Sequence, residues 1–349
     1  MFLIYLLPAL SIIYFLYTRL TSPLSKLPGP LYTNFTPLYL IYKEFTGNRR
    51  TYIDSLHTRY GPVIRISPSE CSFSSYSAMK EIYTSGAPYL EYYAPRLAEF
   101  FDNLNSKRSR SVPLANDFVL EAVQKPNPAS YSLLSKLHSK ASELEDLSAA
   151  AECMDHLAAG IDTTGDGLCF LMHELSLPQN AHIQQRLRDE INDDQDKSFD
   201  QLPYLDAVVK EGLRVFPPIP MSFPRYTPDS GTTLDGYYIP GHVIVSCQPF
   251  TLHKDPEVFP SPEKFDPQRW LEDKGELERN RMFFAFSQGA RGCIGKHLAL
   301  AEMKILLREV YGQYKTVLGK EKADMRFDDQ VISSRPKGQK CRLQFQKVV

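Results

Sequence analysis

Between Glu143 and Leu175 the apolar residues Leu147, Ala150, Met154, Leu157, Ile161, Leu168, Leu171, Met172 and Leu175 recur at helical spacing. That span is far longer than an average helix, and Pro178 stops it. Shorter helices are predicted over 50–60, 77–84, 180–191 and 204–215, the last ended by Pro217-Pro218. Residues 61–75 alternate well enough for two short strands, and the runs GYYIP and VIVSCQPF suggest a small strand region punctuated by Asp235-Gly236 and Pro240-Gly241. A last helix starts near Cys293, with Ile294, Leu298, Ala301 and Ile305 on one face. The expected fold class is mainly α with a small β component. The segment 85–128, with its aromatic patch, its basic run at 107–110 and prolines at 113, 126 and 128, carries no clear signal.

With 349 residues and 43% hydrophobic content the chain can bury a large core, as one domain or two. Lys+Arg number 40 and Asp+Glu 41, so no basic excess points to nucleic acid. Six dispersed cysteines form neither a disulfide framework nor a zinc pattern, which fits a reducing compartment. Phe2 to Thr18 contains no charge and reaches the lower limit for spanning a bilayer, about 17 residues. It lacks the basic start and small-residue cleavage site of a signal peptide, so residues 1–18 are expected to be a transmembrane anchor. Arg19 and Lys26 follow the span and place the body in the cytosol; residues 19–30, with Pro28-Gly29-Pro30 as a stiff turn, make a linker.

The stretch FSQGARGCIGKHLALAEMK, Phe286 to Lys304, sets Cys293 in a turn with Gly289, Gly292 and Gly295 and runs into a helix. A phosphate loop is the first thought. Aligned on Gly295-Lys296, however, a Walker A pattern would put Ala290 at its first glycine and His297 at its magnesium-binding hydroxyl. A dinucleotide fingerprint lacks its strand-helix-strand unit. A buried structural cysteine is the plain alternative. Against it, glycines let a backbone approach something flat, a helix N-terminus steadies a thiolate, and Arg291 supplies a cation for an anionic ligand. These are the requirements of a thiolate axial ligand to haem iron, with backbone N–H groups near the sulfur tuning the metal.

Phe286-x-x-Gly289-x-Arg291-x-Cys293-x-Gly295 resembles the haem-binding signature of the cytochrome P-450 family of haem-thiolate monooxygenases. The resemblance implies a cytochrome P-450-like fold, haem b with Cys293 as its proximal ligand, Phe286 packed near the sulfur, and Arg291 paired with a propionate. Glu211-x-x-Arg214, which alone could be a surface i,i+3 pair, precedes ValPheProPro and is followed by PheAspProGlnArgTrp. In the family such contexts make Glu211, Arg214 and Arg269 a buried charge network. Ala159-Gly160-Ile161-Asp162-Thr163-Thr164 places poor helix formers inside a strong helix, and such weakness often marks a functional opening. It resembles the oxygen-activation motif, in which Asp162 and Thr163 serve proton delivery. Arg225, in ProArgTyrThrPro, is by position either a second propionate partner or a surface arginine. His253 and His297 are read as structural.

The likeness runs from about Leu144 to Leu343 and from the anchor to about Gly86. Between roughly 86 and 143 the chain is too short for the family's several helices, with 87–102 as a remnant of the roof, and the only tryptophan, Trp270, cannot be the family's propionate-clasping one. The resemblance thus implies residues 31–349 as a catalytic domain shortened in its centre. Its activity would be insertion of one oxygen atom of dioxygen into a lipophilic small molecule, of terpenoid, polyketide or alkaloid type in secondary metabolism. The implied partner is NADPH-cytochrome P-450 reductase, since no dinucleotide or flavin domain is present, and the implied place is the endoplasmic reticulum membrane, single-pass, facing the cytosol. Two alternatives stay open: a noncatalytic relative that keeps the motifs, and a haem-thiolate isomerase or dehydratase.

Overall fold

The computed structural model describes residues 2–84, 113–124, 128–139, 146–330 and 333–348, so the proposed roof remnant at 87–102 lies outside the described residues. The chain divides into two units, one of residues 1–91 with 166–349 and one of residues 92–165.

In chain order the helices are α1 (Phe2–Thr21), α2 (Leu38–Phe45), α3 (Arg49–Tyr60), α4 (Tyr76–Thr84), α5 (Pro113–Val123), α6 (Leu133–His138) and α7 (Asp146–Leu175). They continue with α8 (Ala181–Asp193), α9 (Pro203–Val215), α10 (Pro249–Leu252), α11 (Glu276–Met282) and α12 (Lys296–Gln313). The helix predicted from the apolar run is thus α7, and proline opens α9 at its first position, where no intrahelical N–H is needed. Among the described residues no helix is long and apolar enough to cross a membrane.

In the smaller unit, α5, α6 and the first part of α7 bury Val119, Val123, Ala149 and Ala150 together, with Leu134 and Leu137 at the edge. The His138 ring donates from Nε2 to the Val123 carbonyl at 3.1 Å and ties α6 to α5.

The larger unit holds three apolar clusters. One joins the end of α7 to α8, α9 and α12 through Leu171, Leu187, Leu205, Val208, Met303 and Tyr311. Burying such side chains contributes roughly 1.5–3 kcal/mol each. Lys304 of α12, itself buried, pairs with Asp206 of α9 at 2.8 Å and Asp200 at 3.1 Å, so the contact is both apolar and charge-matched. A second cluster includes Leu24, Leu27, Phe73, Met79, Tyr83 and Phe284. It packs on one face of a four-stranded sheet of order β1-β2-β6-β3, made of Val63–Ser67, Glu70–Phe73, Ile244–Ser246 and Arg225–Tyr226. Only the β2-β6 pair is parallel. The third cluster lies between α2, α3 and β1. Two-stranded pairs complete the β component: β4 (Thr232–Leu234) with β5 (Tyr237–Ile239), β7 (Tyr314–Leu318) with β10 (Leu343–Lys347), and β8 (Phe327–Asp329) with β9 (Ser334–Pro336).

Pro28-Gly29-Pro30 is docked on this frame. The Pro28 carbonyl accepts from the Arg65 N–H at 2.8 Å, and the buried Arg65 guanidinium donates to the Leu24 and Leu27 carbonyls at 2.7 and 3.1 Å. A side chain at Gly29 would meet the Arg65 carbonyl at 2.6 Å, which is why glycine stands between the prolines.

α12 does not pack by the apolar face read from the sequence. Its core face is Met303, Lys304, Leu307 and Tyr311, whereas Ile294 is 82% exposed, Leu298 64% and Ile305 45%. The apolar pattern read from the sequence therefore describes the bare side of this segment rather than its core side.

Candidate functional site

Cys293 lies two residues before the Gly295 N-cap of α12. Its thiol is free and exposed. The Phe284-to-Gly295 stretch folds back on itself: the Gly292 N–H donates to the Gly289 carbonyl at 3.0 Å and the Cys293 N–H to the Phe286 carbonyl at 2.9 Å. The hydrogen bonds of Cys293 are made by its backbone, not by its sulfur, so the expected N–H donors to the sulfur are absent among the described residues. Phe286 is half-buried against the cluster of α7, α9 and α12, with its ring centroid 6.4 Å from that of Phe283.

The glycines do different work. Gly289 has φ +72°, and a Cβ there would lie 2.0 Å from the Tyr83 carbonyl, so the turn is pressed against the end of α4. Among the described residues a Cβ at Gly295 would meet only the Cys293 sulfur, at an ordinary 3.9 Å, so its missing side chain leaves the space beside the thiol clear. Gly289→Ala is expected to destabilise the fold by about 2 kcal/mol or more, since strain and a backbone clash add. A denaturant midpoint within error of the unmutated protein's would show that the turn does not sit against α4.

Arg225 is not the surface arginine that the sequence left possible. It is buried in β3, with its guanidinium 4.8 Å from the Tyr83 ring centroid and Nη1 donating to the Pro224 carbonyl at 2.8 Å. Tyr83 thereby touches both candidates: its carbonyl meets Gly289, and its ring faces Arg225 and lies 4.9 Å from that of Phe284. Arg291 is exposed in the short 3-10 turn Gly289–Arg291, and so is His297 at the start of α12, which gives that histidine no structural role by burial.

Glu211, Arg214 and Arg269 are brought together in full. Glu211 is completely buried and accepts from Arg214 Nε and Nη2 at 2.9 Å each and from Arg269 Nε at 3.1 Å. It also accepts from the Asp266 N–H and from Trp270 Nε1, both at 2.9 Å, two donors that the sequence motif did not reveal. Arg214 extends the network, donating from Nη1 to the His253 carbonyl at 2.9 Å. One carboxylate with five donors is stable without water, because its charge and lone pairs are all matched.

Asp162 and Thr163 stand on α7 in the part that belongs to the smaller unit. The helix passes through Gly160 to Thr164 as regular α-helix, so the opening expected there is not present in the backbone. The Thr163 hydroxyl donates to the Ala159 carbonyl at 2.7 Å, a local bond that compensates for a β-branched residue in mid-helix.

A free, exposed thiol beside a helix N-terminus, cleared by Gly295 and flanked by bare Ile294 and Leu298, fits the donor and apolar face that a haem needs. The sequence profile of the family described as Cytochrome P450 matches residues 88–342. The chain belongs to the cytochrome P450 family. The matched stretch starts inside the segment that the motifs alone had left unmatched, and stops short of the first 87 residues. "Cytochrome P450 monooxygenase orf2" of Aspergillus niger is 22% identical, with 95% of each chain covered, and "Cytochrome P450 monooxygenase astD" of Aspergillus oryzae is 25% identical, covering 87% of this chain and 86% of that one. "Taurochenodeoxycholic 6 alpha-hydroxylase" of Sus scrofa is 37% identical over 171 residues, 47% of this chain and 33% of its own. As a cytochrome P450 the protein is an oxygen-incorporating oxidoreductase of a family built on cysteine-ligated haem iron, with the mainly α, minor β fold that its motifs imply.

Proposed function

We propose that this cytochrome P450 inserts one oxygen atom into a lipophilic organic substrate, of the kind made in secondary metabolism, using haem b held by Cys293. The exposed Cys293 thiol in its cleared turn carries this reading. Bound haem supplies dioxygen activation and oxygen insertion, chemistry that no side chain can provide. Cys293 would hold the iron through its sulfur at the start of α12. Gly289 holds the turn against α4, and Ile294 and Leu298 give the macrocycle an apolar surface. Arg291 and the buried Arg225 are the residues assigned to the propionates. Thr163 is assigned a proton to hold by its hydroxyl, and Asp162 proton entry from water.

The aligned span with the Aspergillus niger relative, 469 positions, exceeds the 349 residues of this chain, which supports a body that is shortened relative to it. Electrons are assigned to NADPH-cytochrome P-450 reductase. The endoplasmic reticulum membrane is the assigned location, with residues 1–18 as anchor and the body in the cytosol. The charge-free run from Phe2 to Thr18 and the exposed apolar side chains from Leu10 to Leu20 support that assignment.

The ferrous carbon-monoxide difference spectrum of the haem-reconstituted chain tests the proposal. A thiolate-type Soret band is expected, and its complete absence would sink the reading. Thr163→Ala should leave that band in place yet lower the product formed per dioxygen consumed by about a hundredfold, the low end of what a positioned proton-transfer group contributes. Unchanged coupling would remove Thr163 from proton delivery.

A further inference from the structure

His253 follows α10 and is 1% exposed. Its ring connects two parts of the protein that are remote in sequence. Nε2 accepts from the Phe284 backbone N–H at 2.8 Å, so the proton of the neutral ring is on Nδ1, which donates to the Arg214 carbonyl at 3.0 Å. Arg214 returns the contact through Nη1 to the His253 carbonyl at 2.9 Å. The imidazole plane also stacks on Phe283, with centroids 5.6 Å apart and planes 10° apart, and Phe283 in turn meets Trp270 edge-on at 5.4 Å. Burial, helped by the Arg214 guanidinium, pushes the imidazole down to about 3, so the ring remains neutral and its acceptor available across the ordinary pH range.

Phe283 and Phe284 are the last residues before the Cys293 turn. Phe286, two residues on, supplies the carbonyl that holds the Cys293 N–H. The stem of the turn is thus held by a side chain whose own position is fixed by the Glu211-Arg214 network.

We propose that His253 is a positioning residue for the Cys293 sulfur, transmitting the rigidity of the buried Glu211-Arg214-Arg269 cluster to the stem of the cysteine turn through its two ring hydrogen bonds. The proposal rests on the haem-thiolate reading for its spectroscopic consequence, but its structural part stands on the chain alone. A residue that only filled space would be replaceable by any ring of similar size. His253 instead uses both nitrogens in one fixed tautomer.

The test compares His253→Phe, which keeps a stacked ring and loses both bonds, with His253→Gln, whose side-chain oxygen can still accept from the Phe284 N–H. In the full chain, amide exchange at Phe284 and along 286–295 is expected to rise about tenfold in His253→Phe, as for one lost buried hydrogen bond, and to return towards the unmutated rate in His253→Gln. In the haem-loaded protein, the fraction of bound haem giving the thiolate-type band should fall in His253→Phe at unchanged haem content per chain and recover in His253→Gln. Equal exchange in all three proteins overturns the proposal. So does a His253→Phe protein that loses haem but keeps the full thiolate fraction in what remains, the mark of a general packing defect. If His253→Phe does not fold, a His253→Gln protein that exchanges at Phe284 like the unmutated chain supports the proposal, and one in which exchange is faster everywhere to the same degree overturns it. Absence of the thiolate band in the unmutated chain would count against the haem reading alone, and the exchange comparison would still decide the role of His253.

Discussion

Cys293→Ala is expected to abolish the thiolate-type Soret band of the ferrous carbon-monoxide complex and to bring substrate oxidation to background, while leaving the fold nearly as stable as before. The asymmetry follows from where the residue sits. Its thiol is exposed and its sulfur has no hydrogen bond among the described residues, so removing it opens no cavity in the core. Its fixed backbone N–H, bonded to the Phe286 carbonyl, survives the change. Surface substitutions of this kind usually shift stability within about 0.5 kcal/mol. The chemistry has no such reserve, because a soft thiolate is the ligand that the family's iron requires and no second cysteine lies in the turn. Urea denaturation of both proteins, beside their reduced carbon-monoxide spectra, checks both halves. A variant that kept the thiolate band would mean that another residue is the ligand.

Glu211→Ala should have the opposite profile, a large loss of stability from a residue that touches no substrate. Glu211 is wholly buried and accepts from Arg214, Arg269, Trp270 and the Asp266 N–H. Without it two buried guanidinium groups lose the carboxylate that they share. Breaking such an arrangement costs about 3–5 kcal/mol, a large part of the stability of a typical protein. The expected result is a denaturant midpoint lowered by that amount or a chain that is recovered only as aggregate. Arg214→Lys makes the milder comparison: the charge stays, but one ammonium cannot serve Glu211 and the His253 carbonyl with the geometry of the guanidinium fork. It should cost about 1–3 kcal/mol, from the bonds to charged groups that it loses. A Glu211→Ala protein within about 1 kcal/mol of the unmutated one would refute the idea that the carboxylate holds this region together.

The two substitutions separate what the chain uses for chemistry from what it uses for architecture. Cys293 is open to a ligand and weakly held by its own side chain. Glu211 is closed to everything and saturated with donors. His253 bonds both to Arg214, the partner of Glu211, and to Phe284 at the stem of the cysteine turn.

Much of this was legible in the linear sequence because it is local. The periodicity of 143–175 foretold α7, which is described from Asp146 on; Pro178 and Pro217-Pro218 foretold where α7 and α9 end; and the i,i+3 spacing of Glu211 and Arg214 placed both on one face of α9. The cysteine turn announced its chemistry by residue type and spacing. None of these needs distant partners, since helical period, proline geometry and turn-forming glycine act within a few residues. α2, α10, α11 and the strands β7 to β10 escaped notice because short segments carry too few periods to stand out from loop.

The rest depends on contacts between segments remote in sequence. That Trp270, 59 residues from Glu211, completes its carboxylate shell, and that His253, 39 residues from Arg214 and 31 from Phe284, joins the network to the cysteine turn, depends on which segments meet. It was also the packing of Met303, Leu307 and Tyr311 against α9 that left Ile294 and Leu298 outward. An amphipathic pattern states that a face is apolar but not what will cover it. The cysteine, the long helix and the charge pair are written in local residue order; which apolar face stays bare beside the sulfur is set by the fold, because burial is settled by competition among all segments for a limited interior and not by any one of them.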